Sequence, residues 1–271
     1  MCGFAGFSVN GLPGDRLAVI RAMGERIVHR GPDQDDCYLD EEMAFCFRRL
    51  SIIDLEGGSQ PILNEDGTKV LVFNGEIYNY QTLRADLLEK GHVFKTSTDS
   101  EVLLHGYEEY GGRGLLAQLR GMYAFAIWDK SEKKLFAARD IFGIKPFYYY
   151  RRDGEFMFGS EIKSFLEHPR FQKELNEERL PDWLCFEYLP DSETMFKNVW
   201  KLPSGCYLEY QNGELKVERY YEVQYRIDES RSLEDWEKAI TETFTDSVEA
   251  HKIADVEVGC FLSSGVDSSY V

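Results

Sequence analysis

The sequence predicts an α+β fold, with antiparallel sheets carrying helices on their outer faces. Three observations carry this. Strand-like runs come in neighbouring pairs around Asp153-Gly154 and Asn212-Gly213, dipeptides that close tight hairpins. Helical spacing is confined to a few stretches and does not alternate with strands, as a parallel sheet would require. Hydrophobic residues make up 43% and aromatic residues 14% of the 271, enough to bury a sizeable core.

Each element follows in order. CGFAGFSV (2–9) reads as a strand ending at an Asn10-Gly11 turn. Residues 15–29 place Leu17, Ile20, Gly24 and Ile27 at helical spacing. Short strands are expected at 43–48 and 69–74. Helices follow at 81–90, on Leu83, Leu87 and Leu88, and at 99–110, on Val102, Leu103 and Tyr107. YAFAIWD (123–129) pairs with KLFAARD (134–140) as a hairpin, PFYYY with EFMFGS, and CYLEY with ELKVERYY.

The character changes after about residue 220. Residues 221–257 hold 11 Asp and Glu against 4 Lys and Arg, the composition of a solvated helix face. Trp236, Ile240, Phe244 and Val248 recur every four residues, and Ser232 with Asp235 forms an N-cap arrangement. VEVGCFLS (256–263) reads as a buried strand of a parallel sheet, which does not stand alone. A second domain, cut off near its beginning, is therefore expected, and residues 256–262 would present an unpaired apolar edge.

Bulk properties exclude several functions. A net charge of −17 leaves no basic footprint for nucleic acid and is repelled by an anionic membrane surface. There is no run of 18 apolar residues to span a bilayer, and the start lacks the features of a secretory leader. Cysteines stand at 2, 37, 46, 185, 206 and 260, without CxxC pairs or zinc-site spacing. A reduced, cytoplasmic protein is expected, with every thiol but Cys2 acting as a small hydrophobe.

Five stretches carry chemistry, each with an ordinary structural alternative. Cys2, with Met1 trimmed, would join a thiol to a free α-amine, so that one residue holds both nucleophile and base; the alternative is an idle terminal thiol. In LVFNGEIYNY (71–80), the Asn74 side-chain N–H and the Gly75 backbone N–H could form an oxyanion hole with Glu76 orienting them, or simply a tight turn. Arg49 in RRLSIIDL (48–55) could grip a carboxylate bidentately or be a solvated charge. Asp99 in STDSEVLL (97–104) could accept a substrate ammonium or cap a helix, as could Ser100. FLSSGVDSS (261–269) has a strand–loop–helix pattern suited to phosphate, with Asp267 placed to hold Mg²⁺; the alternative is an ordinary strand-to-helix turn. HRGPD (29–33) reads as a turn to which chemistry alone gives no role.

Together with LRGMYAFAIWD, RDIFGIKPFYY and FGSEIKS, these stretches resemble, in order and along nearly the whole chain, the class II glutamine amidotransferases of the asparagine synthetase type. The resemblance implies a four-layer αββα N-terminal-nucleophile sandwich over residues 2–218. Residues 219–271 would hold a linker and the first helix and strand of an α/β ATP-pyrophosphatase domain. It implies Cys2 as nucleophile, Asn74 and Gly75 as oxyanion donors, and a glutamine site of Arg49, Leu50, Ser51, Ile52, Ile53, Asn74, Gly75, Glu76 and Asp99. Arg49 would take the α-carboxylate and Asp99 the α-ammonium. Leu262, Ser263, Ser264, Gly265, Val266, Asp267 and Ser268 would contribute to an ATP and Mg²⁺ site, although Ser264 stands where a common form of that loop has a second glycine. The glutaminase step itself would need no cofactor. The small-molecule partners would be glutamine, ATP and aspartate, with no nucleic acid or membrane, and a homodimer is allowed for. Asparagine would form when ammonia meets an ATP-activated aspartate, while residues 1–271 alone would only hydrolyse glutamine. Amidation of another carboxylate, and a glutamine-binding domain without turnover, are the competing readings.

Overall fold

The computed structural model describes residues 1–54 and 57–271. Two six-stranded sheets face one another. The first runs β10 (Val199–Lys201), β8 (Tyr148–Arg152), β9 (Glu155–Gly159), β1 (Gly3–Ser8), β3 (Met43–Arg49) and β2 (Gln34–Leu39). The second runs β12 (Glu214–Arg219), β11 (Cys206–Gln211), β7 (Lys134–Arg139), β6 (Gly121–Asp129), β5 (Lys69–Ile77) and β4 (Ile62–Leu63). Every pairing between these strands is antiparallel.

The period-2 alternation of a strand sorts side chains into three cores. Phe4, Phe45, Phe47, Val70, Val72, Ala124, Ala126, Phe156 and Phe158 point between the sheets and form the central core. Their neighbours Ala5, Phe7, Ala44, Cys46 and Met157 point outward, under Ile20 and Met23 of α1 (Arg16–Glu25). Leu71, Phe73, Phe125 and Ile127 likewise point outward, under α2 (Tyr80–Glu89) and α3 (Glu101–Leu116), through Leu83, Leu87, Val102 and Leu103. Helix, sheet, sheet and helix make the four layers expected of the αββα sandwich. Gly6 lies on the inner face, where an added Cβ would come within 2.4 Å of the Phe158 ring.

The three hairpins form as read, with Asp153 and Asn212 in the left-handed region at φ 52° and 53°. The helix expected to end near 110 continues to Leu116 across a break at Gly111, where φ is 68°. β2, β4, β10 and the short α4 (Leu180–Phe186) were not anticipated; QDDCYL has no apolar alternation to mark it as a strand.

The C-terminal part corrects two expectations. α5 (Leu233–His251) forms with the Ser232–Asp235 capping box. Residues 256–262, however, are not a strand, and Phe261 and Leu262 are exposed. Among the described residues no strand lies beside them, and an extended segment without a ladder leaves its backbone to water. Cys185 and Cys260 are also exposed rather than packed as small hydrophobes, whereas Cys46 and Cys206 are buried. The segment after α5 docks beside the sandwich: the Asp255 N–H donates to the Ile52 carbonyl (3.0 Å) and the Asp54 N–H donates to the Asp255 carboxylate (2.7 Å).

Phe158 packs against the rings of Phe4, Phe45, Phe147 and Phe156 with no solvent exposure. Phe158→Ala is expected to cost about 3–5 kcal/mol of unfolding free energy, measured by urea denaturation.

Candidate active site

The alternation that builds the central core also builds a cleft where the two sheets part. Just before β1, Cys2 continues the inner-face register of Phe4. On β3, Arg49 continues Phe45 and Phe47; on β5, Asn74 and Glu76 continue Val70 and Val72. All four line one cleft of about 230 Å³ with Leu50, Ile52, Ile53, Gly75 and Asp99. That volume lies below the range of pockets for drug-sized ligands. Ser51 does not line it; its N–H is taken by the Asp33 carboxylate at 2.8 Å, which points the residue away. Leu55, the last residue of RRLSIIDL, lies outside the described residues.

Cys2 is held from three directions. Its Sγ accepts from the Leu50 N–H and lies equally close to the Leu50 carbonyl, both at 3.4 Å. Its carbonyl accepts from Arg30 Nε at 2.9 Å, and Arg30 is anchored by Glu161 at 3.0 Å. Two residues along the strand, the Phe4 N–H donates to Ser160 Oγ while the Ser160 N–H donates back to the Phe4 carbonyl. HRGPD and FGSEIKS thus acquire a role: they clamp the start of β1. Gly3 and Gly31 permit the approach, since a Cβ at Gly31 would lie 2.3 Å from the Arg48 carbonyl. Burial pushes the thiol pKa up, and the Leu50 N–H, the chain's amino group and Arg49 pull against it. Met1 carries that amino group in the intact chain, with its pKa lowered by burial.

The remaining groups are built for charge. Arg49 is buried and its guanidinium donates to Gln34 Oε1 (3.0 Å) and to the carbonyls of Ile53 (3.1 Å) and Asp54 (2.5 Å). Among the described residues no carboxylate lies within salt-bridge distance, so its charge is oriented by neutral oxygens only. Gly58, at φ 68°, lets the loop pass: a Cβ there would fall 2.2 Å from Thr98 and 3.1 Å from the guanidinium.

Asp99 does not cap α3. Its carboxylate accepts from the Ile77 N–H on β5 at 2.9 Å, and Ser100 stands at the cap position without a capping bond. Burial, opposed by the Ile77 bond and reinforced by the charge of Glu76, pushes Asp99 up to about 7. Asn74 is 2% exposed, and its side-chain Nδ2 has no hydrogen-bond partner. A buried donor left unpaired costs about 1–3 kcal/mol, so its persistence in a cleft points to a ligand atom as the missing acceptor. Gly75 pairs with Tyr123 of β6, where a Cβ would lie 2.2 Å from the Met122 carbonyl.

Lys145 was missed by the sequence reading. It lines the cleft, buried, with its ammonium 3.4 Å from Met1 Sδ; burial lowers its pKa while Glu76 and Cys2 oppose this. It arrives on the RDIFGIK loop. The buried Asp140 carboxylate accepts from the N–H groups of Phe142, Ile144 and Lys145, and Arg139 donates to the carbonyls of Gly143 and Lys145. Gln60 was also missed. Its amide mimics a strand neighbour of β5, accepting from the Phe73 N–H at 2.6 Å and donating to the Phe73 carbonyl at 3.2 Å. Neither position is marked by composition. The RDIFGIK motif was the available signal for Lys145.

The residues that the sequence marks as a candidate nucleotide loop do not join this cleft. Leu262, Ser263, Ser264, Gly265, Val266, Asp267 and Ser268 lie on the surface around α6 (Val266–Tyr270). Ser264 takes φ 37°, the left-handed region that favours glycine, so the serine sits where a glycine would be less strained.

The glutamine amidotransferase domain model matches residues 1–221. The chain belongs to that family. The asparagine synthase model matches residues 239–271. Among curated proteins, the chain is 40% identical to asparagine synthetase [glutamine-hydrolyzing] 1 of Bacillus subtilis, covering 100% of the chain and 43% of that protein. It is 41% identical to asparagine synthetase [glutamine-hydrolyzing] 2 of the same organism, again over all of the chain but 38% of the relative. The chain therefore spans about two fifths of the length of these relatives. Among solved structures, glutamine phosphoribosylpyrophosphate amidotransferase from B. subtilis superposes with a TM-score of 0.59 at 17% identity, over 82% of this chain and 49% of that one. The shared fold is the N-terminal-nucleophile type of this amidotransferase family. Among the described residues of our amidotransferase chain, no helix is long and apolar enough to cross a membrane.

The sign of the Asp99 effect is testable in the folded amidotransferase without any ligand. Its folded pKa, about 7, exceeds the ordinary 3.8, so between these values the folded chain binds more protons than the unfolded one. Its contribution to stability must therefore fall as pH rises through that window. Urea unfolding at about pH 5 and about pH 8 should show that Asp99→Asn gains stability relative to wild type at the higher pH.

Proposed function

We propose that this chain hydrolyses the side-chain amide of glutamine at Cys2. The observation that supports this best is the buried, unpartnered Asn74 Nδ2 sharing a cleft with the Cys2 thiol. Arg49 binds the α-carboxylate, its fork already aimed by Gln34, Ile53 and Asp54. Asp99 binds the α-ammonium as a carboxylate, and this charge relieves what burial imposes on it. The side-chain amide then meets Cys2.

Removal of Met1 gives Cys2 a free amine beside its own thiol. The amine takes the thiol proton, and the thiolate attacks the amide carbon. The Asn74 Nδ2–H and the Gly75 N–H stabilise the tetrahedral oxyanion. The amine returns the proton to the departing nitrogen, ammonia leaves, and a γ-glutamyl thioester remains. Water, deprotonated by the same amine, cleaves the thioester to glutamate and frees the thiol. Lys145 and Glu76 stand at the cleft wall as opposite charges.

We further propose that the ammonia serves asparagine formation from an ATP-activated aspartate, a reading supported by the similarity to the two Bacillus subtilis proteins named glutamine-hydrolyzing asparagine synthetases. The hydroxyls of Ser263, Ser264 and Ser268 and the exposed Asp267 carboxylate are a donor set that fits phosphate and Mg²⁺. Those residues would hold the nucleotide, which supplies the activation of the acceptor carboxylate.

Ammonia release from glutamine by this chain, with the N-terminal mass recorded, tests the first step. Wild type lacking Met1 should turn over, and Cys2→Ala should be silent. Asn74→Ala should lower kcat by roughly 10²–10³. Silence of a Met1-free wild type that also fails to take a glutamine-shaped alkylating agent on Cys2 would sink the proposal. The Asp99 contact adds a pH signature: KM for glutamine should rise roughly tenfold per pH unit below about 7, and Asp99→Asn should flatten that slope while raising KM throughout.

A further inference from the structure

Beside α3, three side chains converge that the proposed glutamine chemistry does not use. Glu65, His92 and His105 place ligand-capable atoms within 4.8 Å of one another. Glu108 stands beside both imidazoles. His105 Nδ1 is 3.1 Å from Glu108 Oε2 and 3.7 Å from Glu65 Oε1, and His92 Nδ1 is 3.9 Å from Glu108 Oε2. Ligands about 2.1 Å from a tetrahedral ion stand roughly 3.4 Å apart, so the 3.7 Å between Glu65 and His105 is close to that of an assembled site.

The surroundings also suit a metal site. Both imidazoles turn Nδ1 inward, and each turns Nε2 toward a further carboxylate. His105 Nε2 faces Glu101 Oε1 at 3.6 Å, and His92 Nε2 faces Glu109 Oε2 at 3.4 Å. A carboxylate behind the non-ligating nitrogen is the usual arrangement for a metal-bound histidine, fixing tautomer and ring orientation. His105 is 1% exposed and its Nε2 has no hydrogen-bond partner, a buried polar atom that a metal on Nδ1 would pull into a bond with Glu101. Glu108 is oriented in turn by the Asn64 amide at 2.6 Å, with Lys69 Nζ 4.0 Å away, and Glu65 accepts the Val93 N–H at 3.2 Å.

We propose that Glu65, His92 and His105 bind a divalent transition-metal ion, zinc by its preference for nitrogen and oxygen ligands. One carboxylate and two neutral imidazoles hold it, with Glu108 hydrogen-bonded to His105 beside them. The ion ties the 64–65 turn to the 92–96 loop and to the first two turns of α3. Glu101, the carboxylate behind His105, also accepts from the N–H groups of Lys95 and Thr96, and Thr96 Oγ1 lies 3.0 Å from Thr98 Oγ1. Thr98 and Asp99 line the cleft. The ion thereby stiffens the loop that presents Asp99.

The chain stripped with chelator, with its exposed cysteines alkylated, should be titrated with Co²⁺ alone. The expected result is one equivalent bound with the intense visible bands of tetrahedral cobalt, displaced by Zn²⁺. Zn²⁺ should also raise the Tm of the stripped chain. His92→Gln and Glu65→Gln, at half-buried and exposed positions that leave the core intact, should each weaken binding at least tenfold and lose most of the Tm shift. Absence of saturable binding, or binding that both variants retain, would overturn the proposal and leave the side chains as an ion-pair network.

Discussion

The inward register of the two facing sheets is the constraint on which the rest of the molecule depends. A strand alternates its side chains, so once Phe4 is committed to the space between the sheets, Cys2 must point there too. The same rule carries Arg49 from Phe47 and Asn74 from Val72. The central core ends where the sheets part, and at that end the inner positions change from apolar to chemical. The cleft is therefore a continuation of the core and not a feature laid over it. A one-residue slip of β1 would turn Cys2 away and bring Gly3 inward.

A thiol on the second residue of a chain faces the fraying common to termini. Here the strand it opens is central, flanked by β3 and β9, and its first bonds are made to groups far away in sequence. Arg30 takes the Cys2 carbonyl and Ser160 brackets Phe4. A chain end held on both edges and at its tip is tied down against that fraying. The other charged groups are treated alike: Arg49 is aimed by neutral oxygens, and Asp99 is buried on one backbone bond, so each leaves its charge for a ligand. The stability given up by burying these groups is the cost of a site organised before substrate arrives.

Much of the architecture was legible because its signals are local. Asp153-Gly154 and Asn212-Gly213 need left-handed backbone whatever surrounds them, and the hairpins formed there. The Ser232–Asp235 box closed as expected because both partners lie within one turn. β2 escaped notice because QDDCYL is an edge strand whose pairing with β3, not its pattern, makes it a strand. The opposite error fell on 256–262, where an apolar run suggested a strand but no described strand lies alongside. Asp99 was placed among cap candidates by its position before a helix; its bond to Ile77, 22 residues away, needs the packing of α3 against β5.

What the sequence by itself determined was the set of local conformations and the identity of the reactive groups. Turn dipeptides, helix periodicity, and the motifs holding Cys2, Arg49, Asn74, Gly75 and Asp99 are properties of short stretches of chain. What only the tertiary structure decided was their company. It brought residues from 2 to 145 to one cleft, turned Ser51 out of it, added Lys145 and Gln60, and left Asn74 Nδ2 buried without a partner. It also gathered Glu65, His92 and His105 to within 4.8 Å of one another. The reason is physical: hydrogen bonds, burial and charge act through space, and the distances across a folded sheet are not written in the spacing of residues along the chain.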